Sequence, residues 1–145
     1  MYSNVHGVAG TLIVLATHAI TKDTSVAIAL GGTLAFLSHD PLDRLGEKSY
    51  GSLATTIRWE GFSMWIFALA AYLSGQWPLF AVGWIAGNGM DIIDKKLYLS
   101  IALPSKFGPS WTLFPCHRRK PDVNLTLAQT RFATLLSSLV IAAVA

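Results

Sequence analysis

Five apolar stretches, residues 5–20, 26–37, 61–73, 77–93 and 132–145, are divided by polar connections that hold almost every charge of the chain. That alternation restricts the fold more than any motif does. Charged residues make up only 13% of the chain and hydrophobic ones 52%, against roughly 25% charged in ordinary soluble domains. Nineteen charged side chains would cover the surface of a soluble domain thinly, and the mean hydropathy is +0.48. The pattern predicts an all-α chain: a multi-pass transmembrane helical bundle forming one integral-membrane domain over residues 1–145. None of the stretches reaches the roughly 20 residues of an upright span. The second is the shortest and reads as tilted or re-entrant, so four or five short spans are expected. Trp59 and Trp77 open the third and fourth stretches as interfacial anchors. Gly83 and Gly87 allow close helix contact in the fourth, which reads as ordinary small-residue packing.

With five spans, the residues before Val5 and the loops 38–60 and 94–131 share one side of the bilayer. Those two loops hold ten of the eleven basic residues, leaving only Lys22 opposite. The positive-inside rule puts them, and the N-terminus, in the cytoplasm, and the C-terminus outside. The expected location is the cell (inner) membrane. No positive region precedes residues 8–20, so they read as a retained segment and not a cleaved signal. The single cysteine, Cys116, excludes an internal disulfide framework. No basic stripe with interleaved aromatics supports a nucleic-acid partner.

The same alternation gathers the chemistry at one face. His39, Asp40 and Asp43 follow directly on an apolar stretch, with Asp40 and Pro41 reading as the N-cap and first residue of a helix. Asp91 and Asp94 lie three apart at the cytoplasmic end of the fourth stretch, where carboxylates oppose the helix dipole. His6 belongs to the same side, whereas His18, twelve residues on, lies about 18 Å away along a helix. Together His6, His39, Asp40, Asp43, Asp91 and Asp94 are candidate ligands for a divalent metal. Zinc is favoured, with manganese or magnesium as alternatives. His117 and Glu60 are candidate acid–base groups, and Arg118 and Arg119 are candidate anion-binding groups. Such an ion would polarise an ester or phosphoester.

The run Leu34-Ala35-Phe36-Leu37-Ser38-His39 with Asp43 following, His6-Gly7, Asp91 with Asp94, and His117-Arg118 together resemble small inner-membrane proteins regarded as metal-dependent hydrolases. The resemblance covers scattered pieces of most of the chain. It implies a hydrolase with its His/Asp site at the cytoplasmic face, acting on an unidentified small molecule or lipid. That family usually has a second His soon after the His-Arg pair; Arg119, Lys120, Pro121 and Asp122 stand there in this chain. Asn88-x-x-Asp91-x-x-Asp94 is similar to the carboxylate motif of membrane prenyltransferases, which are much longer. The alternative to an enzyme is a small multi-pass protein that binds anionic membrane lipid or a protein partner through its basic loop. A homodimer is also expected, because 145 residues leave little room for a full enzyme pocket.

Overall fold

The computed structural model describes residues 3–46, 53–93, 114 and 123–145. The first helix, α1 (Ser3–Thr21), turns back at Lys22, which adopts a positive φ of 54°. Asp23 then caps the next helix, its Oδ1 accepting from the Val26 N–H at 3.0 Å. That second limb is unbroken from α2 (Thr24–Val26) through a π-helical stretch (Ala27–Gly31) to α3 (Gly32–Leu37). It continues into α4 (His39–Asp43). The long α5 (Leu53–Ser74), α6 (Trp77–Gly87) and the short α7 (Gly89–Asp91) follow, and α8 (Leu127–Val144) completes the bundle. Pro78 sits in the first turn of α6, where its missing N–H costs nothing. Thr126 starts α8 with a reciprocal capping box to Gln129.

The all-α expectation holds. Among the described residues the one departure is a two-residue parallel ladder between β1 (Leu45–Gly46) and β2 (Val123–Asn124). It draws the chain after α4 to the chain before α8, at one end of the bundle.

The expected helix start at Asp40-Pro41 is corrected: α4 begins at His39. Ser38 stays in the right-handed helical region, with φ −67° and ψ −12°, and its N–H still bonds the Leu34 carbonyl at 2.9 Å. The chain therefore leaves α3 with only a slight break.

The core is organised by a backbone-to-backbone crossing of α1 and α6. A Cβ on Gly83 would collide with the Thr11 Cα and lie 2.7 Å from the Thr11 N, and one on Gly10 would overlap the Gly83 carbonyl and lie 2.9 Å from the Gly87 Cα. A Cβ on Gly87 would run into the His6 carbonyl. Only hydrogen fits at these three positions, so Gly83 and Gly87 are more than ordinary packing residues. Thr11, fully buried, ties the crossing by donating to the Gly7 carbonyl at 2.8 Å and to the Phe80 carbonyl at 3.3 Å. On its other flank α1 meets the second limb, where a Gly31 Cβ would lie 3.0 Å from the Val14 Cα.

Polarity on α5 and α8 is arranged inside out. Thr130, Thr134 and Ser138 of α8 are buried, and the Ser138 hydroxyl donates to Ser63 of α5 at 2.7 Å. Phe132, Leu139 and, on α5, Trp65 and Leu73 point outward with more than half of their surface exposed. Among the described residues, Leu127–Val144 is the one helix long and apolar enough to cross a membrane.

Candidate metal centre

Three elements meet at the end of the bundle marked by the β1–β2 ladder. Near the start of α1 lies His6, α4 carries His39 and Asp43, and the chain leaving α6 carries Asp91. His39 and Asp43 are four apart and share a face of α4. The α1–α6 crossing presses the Gly87 backbone onto the His6 backbone, so the ring of His39 reaches both. Its Nδ1 lies 2.9 Å from the Gly87 carbonyl oxygen, which can only accept. That bond fixes a proton on Nδ1 and turns Nε2 towards Asp43, and a backbone carbonyl at one ring nitrogen is the usual outer-shell arrangement of a metal-bound histidine.

The Asp43 carboxylate lies between the two rings. Its Oδ2 is 3.3 Å from His39 Nε2 and its Oδ1 is 3.4 Å from His6 Nε2. One ligand atom from each of His6, His39 and Asp43 falls within 4.8 Å of the others. A tetrahedral ion with donors at about 2.0–2.1 Å keeps them roughly 3.3–3.4 Å apart, and each histidine stands at that spacing from one of the two Asp43 oxygens. The imidazole rings stack with centroids 4.1 Å apart at 30°. Both histidines are fully buried, and Asp43 is nearly so. Neither ring nitrogen of His6 makes a hydrogen bond among the described residues; the 3.4 Å approach to Asp43 lacks the geometry of one. A buried imidazole in that condition lacks the partner that buried polar groups ordinarily have, and a cation between it and Asp43 supplies one. The residues fit a divalent metal.

Charge at the centre follows from this geometry. Burial opposes protonation of His39, but the hydrogen bond to Asp43, the Gly87 carbonyl and the charges of Asp43 and Asp91 outweigh it and raise its pKa. Burial likewise opposes ionisation of Asp43, yet its contacts with His39 and His6 hold its pKa well below the usual carboxylate range. Without metal, a charged His39 stabilises the fold fully below the ordinary value of 6.5, and that contribution is lost as pH rises through the raised folded value. A metal must displace this proton. Zinc affinity, titrated calorimetrically from acid to neutral pH, is therefore expected to climb about tenfold per pH unit for each proton released, levelling once His39 is neutral.

His6, His39 and Asp43 are thus brought together as the sequence suggested. Asp91 lies beside them, buried, with Oδ2 3.7 Å from His39 Nε2. Asp40 is a correction. Asp40 lies a quarter-turn round α4 from His39, whereas Asp43 is nearly in line with it, and Asp40 pairs with Arg44, four residues on, at 3.6 Å on the surface. Glu60 lies on α5 beside Trp59, whose ring faces the Arg131 guanidinium of α8 at 5.7 Å, and is not one of the three clustered groups. Asp94, Cys116, His117, Arg118 and Arg119 lie outside the described residues. His18 sits at the opposite end, its Nε2 3.4 Å from the Thr24 hydroxyl. The contribution that the sequence did not announce is the Gly87 carbonyl. The spacing of Gly83 and Gly87 was its available signal, since close helix approach is what exposes that carbonyl to His39.

No protein-family model, curated protein or solved structure matches the chain. The centre is therefore characterised by its own geometry.

Proposed function

We propose that this chain is a multi-pass membrane protein of the cell (inner) membrane, N-terminus cytoplasmic, whose centre binds zinc and hydrolyses an ester or phosphoester. The observation behind it is the convergence of two buried imidazoles and a carboxylate, one imidazole with its tautomer set by a backbone carbonyl. Three protein ligands of the His/His/carboxylate type leave a fourth position open, the pattern of catalytic and not of structural zinc. Zinc bound there would supply a Lewis acid that polarises a carbonyl or phosphoryl oxygen and acidifies water.

The chain's own residues set the stage for that chemistry. Gly87 holds the His39 ring in one orientation, Asp43 places a negative charge between the rings, and Asp91 stands within reach as acceptor of a proton from water. Glu60 and His117 stay candidates for acid–base roles, and Arg118 and Arg119 for gripping an anionic group. The membrane reading draws support from the outward apolar side chains of α5 and α8 around buried hydroxyls, the distribution expected where lipid replaces water.

Metal analysis by mass spectrometry of the detergent-purified protein, paired with turnover of chromogenic ester and phosphodiester probes, tests this reading. About one ion per chain and turnover abolished by chelation are expected. A chain that holds no ion, or holds one without turnover, would instead favour a non-enzymatic protein acting through its basic loop.

A further inference from the structure

The next inference rests on the membrane reading and not on the hydrolase one, and it concerns the second turns of α5 and α8. Arg58 of α5 and Arg131 of α8 are the only basic residues on the two helices. Beyond Glu60 and Arg131 neither helix carries another charge to its end, so the two guanidiniums stand where the outward apolar faces begin. Arg58 is exposed, and with Trp59, Phe62 and Leu135 it lines a hollow of about 280 Å³. Arg131, one turn before Leu135, reaches across to the Trp59 ring, its guanidinium carbon 5.7 Å from the centroid. That contact is of the cation–π kind. It holds the cation at the hollow but offers no oxygen to its N–H groups.

Two observations point to an anion. Arg131 Nε is buried and makes no hydrogen bond among the described residues, a condition that buried donors ordinarily avoid. Neither guanidinium is ion-paired among the described residues, and Glu60 is the one carboxylate on either helix. An oxyanion supplies both an acceptor and a countercharge, and the planar Arg fork matches a phosphate. Next along the helices come Phe62, Phe132 and Leu135, each with 40% or more of its surface exposed. A free phosphate would leave these side chains bare, whereas a phospholipid covers them with its acyl chains. Basic pockets between helices on the cytoplasmic side take anionic headgroups in this manner.

We propose that Arg58 and Arg131 bind the phosphodiester of one anionic phospholipid from the leaflet on the side of the β1–β2 ladder, its acyl chains lying over Phe62 and Leu135. Helix α8 starts just after β2, which puts Arg131, and Arg58 beside Trp59, at that end of the bundle. The site is separate from His6, His39 and Asp43, with which it shares no residue. It binds lipid and makes or breaks no bond.

Native mass spectrometry of the full chain released from detergent micelles tests the proposal, with phosphatidylglycerol and phosphatidylcholine of identical acyl chains as probes. The wild type is expected to keep one phosphatidylglycerol in preference to phosphatidylcholine. Arg58→Gln with Arg131→Gln should weaken that retention roughly thirtyfold, the loss expected of two basic contacts to an anionic headgroup, with helical circular dichroism unchanged. Arg58→Lys with Arg131→Lys is the gentler change; it keeps the charge without the planar fork and should still weaken retention several-fold. Arg44→Gln, at an exposed residue already paired with Asp40, should leave it intact. Equal retention of the two lipids, full retention in either double variant, an equal loss in Arg44→Gln, or displacement by inorganic phosphate at the lipid's own concentration would overturn the proposal and leave the membrane reading standing. Recovery of the chain in the soluble fraction without detergent would overturn the membrane reading, and this site with it, before any lipid is added.

Discussion

Replacing His39 with Ala is expected to strip the protein of its divalent ion. His39 is the group on which the others converge: its Nε2 faces Asp43 at 3.3 Å and Asp91 at 3.7 Å, while Nδ1 anchors it to Gly87. Losing an outer-shell partner alone costs about 10–100-fold in metal affinity, and removing the ligand itself should cost more. Asp43→Ala should behave similarly, because that carboxylate is the only one within the close trio. Asp40→Ala, at an exposed pair with Arg44, should leave the bound ion untouched. Calorimetric zinc titration reads all three. Zinc should also raise the unfolding temperature of the wild type and leave that of His39→Ala unmoved, since only a folded state that binds the ion is stabilised by it. Equal affinities in the wild type and His39→Ala would remove the centre from the account.

The second large effect concerns a residue that touches no ligand. Gly83→Ala would place a methyl group into the Thr11 backbone, 2.7 Å from its nitrogen, where no side-chain rotation can relieve the overlap. Helices α1 and α6 must separate, and overpacking of this kind typically costs about 1–3 kcal/mol. The separation also moves His6 away from Gly87, so metal affinity should fall together with stability. Gly61→Ala is the control. A Cβ there meets nothing within 4 Å, and in a helix interior the exchange should stabilise by up to about 1 kcal/mol. Thermal unfolding with parallel zinc titration should shift the two variants in opposite directions in stability, with affinity lost only in Gly83→Ala.

Much of this arrangement was legible in the residues. Sparse charge between apolar stretches announced the helices. Counting which polar groups fall at one end picked His6 over His18 and joined it to His39, Asp43 and Asp91 before any fold was known. Asp40 defeated the same reasoning because Asp40 and Asp43 differ only in helical phase. Which of the two faces inward depends on how α4 docks against α1 and α6, and the docked helix turns Asp43 to His6 and Asp40 to Arg44. The grip of Gly87 on His39 was hidden for a different reason: a backbone carbonyl has no signature in sequence, and its exposure arises only when Gly10, Gly83 and Gly87 let two backbones meet.

Zinc-edge X-ray absorption on the purified, zinc-loaded protein reads the central claim most directly. The arrangement of His6, His39 and Asp43 predicts nitrogen and oxygen neighbours at about 2.0–2.1 Å, with the outer-shell scattering of two imidazoles and no sulfur. A sulfur neighbour at about 2.3 Å, which only Cys116 or a methionine could supply, or a single imidazole, would place the ion elsewhere and contradict the account.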